Sequence, residues 1–408
     1  MRELLIESVG AHGDGVAAGP VYAPLTLPGE RVMADVDGDR ASMTEVLRAS
    51  EDRVEPPCPY FGDCGGCALQ HWASAPYRTW KQQQIRIALA RERIETEFLT
   101  PFAARPGTRR RLALHARKAA GRTILGFKAR RSWRLVEIER CPIALPQLQS
   151  ALPILARLAE PFLEHPKSAP TLHATFTETG LDVDVTGVEA RSGGLSADAR
   201  VRAAEIAGAA DLARVTLAGD MLFQVRAPIV RFGRTNVALP PGAFLQAVAD
   251  AEAAMATMAV EAFDGAARVA DLFCGVGAFG LRLAEKASVY AADSSPQSVK
   301  ALLAASGTAG LKAVTVEARD LYRRPLLAEE MRRLDGVLFD PPRAGAAEQS
   351  RQIARSGVAR VVGVSCNPAT FARDARILAD AGFALRSVTL IDQFLWSPHV
   401  ELVGVFKR

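Results

Sequence analysis

Along the first fifty residues apolar and polar positions alternate in short runs, Glu3–Val9, Val21–Tyr22, Arg31–Val36 and Met43–Leu47, with Gly13-Asp14-Gly15 and Pro28-Gly29 between them. Short period-two runs at this spacing predict a small OB-like β-barrel over residues 1–50. Tyr77–Arg93 lacks glycine and proline and predicts a helix. From Pro101 to about Pro240 the alternation in Leu181-Asp182-Val183-Asp184-Val185 and in Arg214–Leu217 predicts a mixed α/β region of half-exposed strands. After Pro240-Pro241-Gly242 the pattern changes. An Ala-rich helix, Phe244–Phe263, precedes apolar strands set between helical stretches: Arg268–Phe273, Ser288–Asp293, Ala313–Glu317, Asp335–Asp340, Arg360–Ser365, Ala384–Leu390 and Val400–Lys407. That alternation predicts a doubly wound, mostly parallel, Rossmann-like sheet whose ligands lie beyond the carboxyl ends of its strands. Three units follow: a barrel (1–50), a central region (51–240) and a doubly wound domain (241–408), with the helix near 77–93 packing on the last.

Composition narrows the class. With 49% hydrophobic and 23% charged residues the chain is globular on average, and no apolar run approaches the ~18 residues a membrane span needs. Met1–Gly10 carries acids and no apolar core of a secretory signal, which predicts a cytoplasmic, non-membrane protein, expected to be monomeric, whose six cysteines serve as ligands or nucleophiles rather than bridges. The net charge of +5 hides an asymmetry: twelve Lys/Arg and two acids fall between Arg105 and Arg140, so that segment alone carries +10. Cations interleaved with Phe127 and Trp133 suit a polyanion with stackable bases.

The chemistry sits at the predicted strand ends. Gly275, Gly277 and Gly280 in Asp271-Leu272-Phe273-Cys274-Gly275-Val276-Gly277-Ala278-Phe279-Gly280 fit G-x-G-x-x-G, and Asp293 ends the next strand where an acid can bind ribose hydroxyls. Alone, this fits NAD-dependent enzymes and S-adenosylmethionine (AdoMet) methyltransferases equally. Asp320 closes the third strand, Asp340-Pro341-Pro342-Arg343 the fourth and Ser365-Cys366-Asn367-Pro368 the fifth, and a hydride transferase has no use for a thiol there.

These motifs, with His399-Val400-Glu401 and Phe244-Leu245-Gln246, resemble the RNA uracil-5 (5-methyluridine) methyltransferases over the last 165 or so residues, and the amino-terminal half is similar as well. The chemistry such an enzyme needs can be stated independently. Carbon 5 of uracil is a weak nucleophile until a thiolate adds to carbon 6, and the methylated adduct must then lose its carbon-5 proton to a base so that the cysteine can leave. The resemblance implies Cys366 as nucleophile and Glu401 as base. It further implies Gln246, Phe273, Asp293, Asp320 and Asp340 as AdoMet contacts, Asp340 also orienting the uracil, and Phe244 stacking on a flipped base. Ala278 departs from the family, which more often has asparagine there, so donor binding would lean on Gln246 and the glycine turn. A fold-sharing amino-methyltransferase would need no Cys366, and a non-catalytic RNA-binding factor would need neither Cys366 nor Glu401.

Cys58, Cys64, Cys67 and Cys141 form a C-x₅-C-x₂-C set with a distant fourth member. Four thiolates can hold a [4Fe–4S] cluster or a zinc ion, although zinc knuckles usually pair two C-x₂-C hooks and only one is present. The same pattern resembles the cluster-bearing members of the family, which implies a closed [4Fe–4S] cluster with a structural or RNA-positioning role and favours ribosomal over transfer RNA. Gly13–Ala17 and Leu27–Val32 resemble that family's small RNA-binding barrel (TRAM domain).

Overall fold

The computed structural model describes residues 1–191 and 193–408. Strands Arg2–Val9, Gly15–Ala17, Val21–Ala23, Arg31–Asp37 and Arg40–Arg48 close into a barrel around Ile6, Val21, Ala23, Val32 and Ala34. Gly15 is required there: a Cβ on it would sit 2.0 Å from Thr26 Oγ1 and 2.9 Å from Ile6. A seven-stranded sheet follows, ordered 135–137, 122–128, 111–119, 171–177, 180–186, 214–217 and 220–224, with helices Leu152–Ala159 and Ala197–Ala209 on its apolar face.

The third sheet positions the site. Its order is 314–318, 288–293, 268–272, 336–339, 360–365, 402–407, 384–392 and 97–98; the first five strands are parallel, and 402–407 runs antiparallel to both neighbours. The Rossmann-like, mostly parallel arrangement expected from the sequence is therefore present. Strand order reverses at Arg268–Leu272, which has 288–293 on one side and 336–339 on the other, and a crevice opens beyond the carboxyl ends at such a reversal. Gly336–Phe339 is buried throughout because helices cover both faces. The sheet reaches back into the first quarter of the chain: Glu97–Phe98 and Phe102–Ala103 pair in parallel with 384–392.

Two expectations need correction. The helix predicted over Phe244–Phe263 begins at Ala249. Residues 244–248 stay extended because the Arg110 N–H donates to Ala247 O at 2.9 Å and Arg109 bridges to Val248, so pairing with the central sheet outcompetes helix formation. Asp320 lies two residues beyond its strand, Val314–Ala318.

Helix Ser74–Arg91 buries Tyr77, Trp80, Lys81, Ile85, Ala88 and Leu89, a stripe at helical spacing, against helix Pro368–Asp380 and strand 384–392. Within that stripe Lys81 Nζ meets Asp392 Oδ1 at 2.6 Å with both side chains wholly buried, and Tyr77 Oη donates to the same oxygen at 3.2 Å. Lys81 also donates to Phe394 O at 3.0 Å, and Tyr77 Oη accepts the Trp396 N–H at 2.9 Å, so the pair anchors the loop after the strand. Removing one partner of a buried pair strands the other charge, at a cost of about 3–5 kcal/mol. Lys81→Met is expected to lower thermal stability sharply and Lys81→Met/Asp392→Leu to recover most of the loss; scanning calorimetry checks this, and additive losses in the double variant would contradict it.

Candidate active site at the strand ends

Cys366 stands at the turn from strand Arg360–Ser365 into helix Pro368–Asp380. Asn367 caps that helix, its Oδ1 accepting the Ala369 N–H at 3.1 Å, and Pro368 occupies the first helical position. The thiol therefore lies against a helix N-terminus, whose dipole favours a thiolate. The turn is fastened to the loop after the neighbouring strand: Asn367 Nδ2 donates to Arg343 O at 3.0 Å, Thr370 Oγ1 to the same oxygen at 3.3 Å, and Ala346 N to Asp374 Oδ2 at 2.6 Å. Gly345, at φ +75°, completes the fit, since a Cβ there would lie 2.7 Å from Asp374 and 2.8 Å from Thr370. The Asp340-Pro341-Pro342-Arg343-Ala344-Gly345 segment is thus a rigid shelf beside the thiol.

Cys366 is half-buried and lines a cavity of about 700 Å³ together with Arg343, Ser397 and His399. Burial pushes its thiol up to about 11, with the carboxylates of Glu401 and Asp340 adding and the Arg343 guanidinium opposing. Glu401 is buried just ahead of strand Leu402–Lys407, and burial, reinforced by Asp340, holds its carboxyl well above the usual range. Asp340, half-buried at the end of Gly336–Phe339, is raised to about 7 by burial, with the Gln246 amide opposing. The extended 244–248 segment carries buried Gln246 to this place, where its Nε2 donates to Asp340 Oδ2 at 3.1 Å. A residue not singled out from sequence links these groups: buried Gln393 donates to Gln246 Oε1 at 2.7 Å and to Glu401 Oε2 at 3.0 Å. Its signal was a polar Asp-Gln pair ending the apolar run Leu390-Ile391.

The glycine turn forms a second locus. Phe273 adopts φ +61° at the end of its strand, a left-handed conformation costing a non-glycine residue about 1–2 kcal/mol, and packs on Tyr322 with ring centroids 5.5 Å apart. A Cβ on Gly275 would meet nothing within 4 Å, so the turn faces open space. Asp293 takes the Gly275 N–H on Oδ2 at 3.0 Å and the Ser295 N–H on Oδ1 at 2.8 Å. Asp320 is engaged by its own turn, accepting Tyr322 N–H at 3.0 Å. Phe244 is 68% exposed with the Arg111 guanidinium 5.3 Å from its ring centre, outside the walls of the Cys366 cavity. Asp271 was also passed over in the sequence; its carboxyl is fully buried, and burial raises it to about 8, with the Gly280 N–H opposing and Asp340 and Asp293 adding.

Cys58, Cys64, Cys67 and Cys141 converge on the wall of the same 700 Å³ cavity as Cys366, all as free thiols. Gly65 N–H donates to Lys128 O at 2.9 Å, docking the cysteine segment on the basic strands. Burial pushes Cys67 up to about 12 and Cys141 to about 11, with neighbouring thiols of the set contributing. Among the described residues no group of three or more His, Cys, Asp or Glu side chains is arranged to hold a metal ion.

The basic segment is less free than its composition suggests. Arg110 pairs with buried Glu252 at 2.7 Å, Arg131 and Arg130 with buried Asp14 of the barrel, Arg122 with Glu137 and Arg134 with Asp63. Arg105, Arg117, Lys118, Lys128 and Arg140 make no salt bridge among the described residues. Lys128 Nζ lies 3.9 Å from the ring centre of Trp133, which is 85% exposed.

A family model described as tRNA (uracil-5-)-methyltransferase matches residues 205–408. Over its full length the chain is 61% identical to an uncharacterized RNA methyltransferase of Caulobacter vibrioides, covering all of both proteins. It is 35% identical to the 23S rRNA (uracil(1939)-C(5))-methyltransferase of Halomonas elongata, covering 98% of this chain and 88% of that one. Among solved structures, the Pyrococcus abyssi tRNA (uracil-54, C5)-methyltransferase bound to S-adenosyl-L-homocysteine superposes with a TM-score of 0.77 at 22% identity, covering 99% of this chain and all of that one.

Because the Asp271 proton is held more tightly in the folded state than at the unfolded value near ~3.9, stability falls as pH rises towards about 8. Asp271→Asn removes that loss. Its melting temperature is expected to exceed the parent's by a margin that widens between pH 5 and pH 8.5, reaching a few degrees; a constant or reversed margin in calorimetry would refute the assignment.

Proposed function

This chain belongs to the tRNA (uracil-5-)-methyltransferase family, and on that premise we propose that it transfers a methyl group from AdoMet to carbon 5 of a uridine in 23S ribosomal RNA. The observation that carries the reading is a thiol on a cavity wall, Cys366, with two buried carboxyl groups, Asp340 and Glu401, close enough behind it to raise its pKa. Cys366 Sγ bonds to carbon 6, and the electron pair of the 5,6 double bond moves towards carbon 5 and oxygen 4. With the thiol near 11, attack is coupled to loss of its proton; Asp340, near 7, is matched to receive it, while the helix N-terminus and Arg343 steady the developing sulfur charge. AdoMet supplies an electrophilic methyl group. Glu401 then takes the carbon-5 proton, and the returning electron pair expels Cys366 Sγ.

The residues fit the donor. Gly275 faces open space, Phe273 presents its ring in a strained turn, Asp293 stands at the end of the second strand, and Gln246 reaches the fourth. Asp320 holds its own turn through Oδ1, which leaves Oδ2, 3.5 Å from Arg323 Nε, to accept an adenine amine. The exposed Phe244 is available to stack on a base drawn out of its helix.

Ribosomal RNA is favoured by the Halomonas relative and by the four cysteines. Those thiols suit a [4Fe–4S] cluster better than zinc. Zinc knuckles usually pair two C-x₂-C hooks, and this set has one, Cys64–Cys67, with Cys58 and Cys141 completing four cysteines on one cavity wall. Cys58, Cys64, Cys67 and Cys141 would hold it, and it would add structural cross-linking between the cysteine loop and residue 141.

RNA containing 5-fluorouridine tests the chemistry, because fluorine cannot leave as a proton does. The intact enzyme is expected to form a gel-stable adduct with a 23S rRNA transcript but not with tRNA, Cys366→Ala to form none, and Glu401→Gln to accumulate covalent complex on ordinary uridine. An adduct with tRNA alone overturns the target, and an adduct from Cys366→Ala overturns the nucleophile. Anaerobically purified protein is expected to be brown and to lose its colour in Cys141→Ala; a colourless parent containing one zinc per chain refutes the cluster.

A further inference from the structure

We propose that Gln393 is a positioning residue that orients two members of the site at once, aiming Glu401 at the target ring and turning the Gln246 amide onto Asp340. The inference rests on the reading of Glu401 as the base and deepens it.

Its geometry is unusually constrained. An amide side chain can ordinarily flip, exchanging its oxygen and nitrogen, but the Ala247 backbone N–H can only donate, and it points at Gln393 Oε1 at 3.1 Å. The Gln393 nitrogen must therefore face the other way, where two acceptors wait: Gln246 Oε1 at 2.7 Å and Glu401 Oε2 at 3.0 Å. Because Gln246 accepts through its oxygen, its own nitrogen is turned to Asp340 Oδ2. One backbone N–H thus sets the direction of a chain of hydrogen bonds running from residue 247 through 393 to both carboxylates. Gln393 is 2% exposed, so water does not substitute freely for any of these partners.

The consequence for Glu401 is a matter of charge. The groups acting on it from neighbouring elements are Asp340, at the end of the fourth strand, and Cys366, at the end of the fifth. Beyond them stand Glu252 on helix Ala249–Ala262, which acts on Asp340, and Arg343, which acts on Cys366 and on exposed His399 of the loop that leads to Glu401. The Gln393 N–H is a donor that stabilises the ionised form of Glu401 within this largely acidic enclosure. Without it the carboxylate holds its proton to higher pH and is no longer held to one rotamer.

Single-turnover experiments on the full-length chain, following formation and decay of the covalent RNA complex from pH 6 to 9.5, test this. Gln393→Met keeps the volume and removes the donor. It is expected to form the complex at a rate within about twofold of the parent, yet resolve it at least tenfold more slowly at pH 7, with the decay profile displaced by about one unit to higher pH, as loss of a hydrogen bond to a charged group requires. A purely structural defect would slow decay equally at every pH. A Gln393→Met profile that superimposes on the parent's, or is lowered without displacement, overturns the proposal. Should Gln393→Met fail to fold, Gln393→Asn, which keeps the amide but is too short to span both acceptors, is expected to give the same displacement and is read by the same criterion. Glu401→Gln is run alongside: its free turnover would refute the base itself, whereas its stalling together with undisplaced Gln393 variants would refute only the role of Gln393.

Discussion

Everything at this site depends on keeping carboxylates at the edge of an apolar sheet. Asp271, Asp340 and Glu401 cluster where parallel strands end, and each is held above its ordinary titration range by burial, with Asp340 adding to the rise of the other two and Glu252 to that of Asp340. Such a cluster persists only if the surrounding structure supplies directed donors and a rigid frame. Here the donors are amides, Gln246 and Gln393, rather than cations. An arginine or lysine in their place would hold the acids ionised but would also bind them too strongly to let a proton be taken and released; neutral amides leave the carboxyls near the range in which proton transfer is effective. The cation that acts on the thiol is Arg343, which opposes the rise of the Cys366 pKa.

The frame is built from fasteners that cross the chain's length. Asp14, 2% exposed in its side chain, takes Arg130 and Arg131 from the hairpin that reads from sequence as a polyanion-binding surface. Arg110 is likewise committed to Glu252, and its Nε donates to Gln246 O at 3.1 Å, so one arginine both closes an ion pair and fixes the backbone of the segment that delivers Gln246. Part of the +10 charge of this segment therefore performs assembly. The remaining cations, with exposed Trp133 beside Lys128, form a smaller and more local surface than the composition implies.

What could be read from the sequence was whatever is periodic or local. Wholly apolar strands announced the sheet, and residues at its strand ends, Cys366, Asp340 and Asp293, were found because a doubly wound fold exposes those positions. The spacing of Cys58, Cys64 and Cys67 is equally local, and Cys141 joined them through a recognisable pattern. The misses are of another kind. Residues 244–248 have helical composition but pair with Arg109 and Arg110, a partner more than a hundred residues away. Gln393 and the Lys81–Asp392 pair acquire meaning only when a helix near residue 80 and a strand near residue 390 are brought together. Nothing in either segment alone distinguishes a buried lysine from one on a solvated face.

That same junction makes the cysteine-bearing loop and the reacting groups one mechanical unit. Trp396 adopts φ +57°, and its carbonyl accepts the amides of both Ala68, at 2.9 Å, and Leu69, at 3.0 Å, immediately after Cys67. Its own N–H is held by Tyr77, whose hydroxyl is in turn held by Asp392, the residue before Gln393. A non-glycine residue keeps a left-handed conformation only where its neighbours over-determine it. Here four elements do so: the cysteine loop, the helix at 74–91, the end of strand 384–392 and the loop that leads to Glu401. Displacement of the segment holding Cys67 is therefore transmitted to the loop carrying His399 and Glu401 through two hydrogen bonds to a single carbonyl.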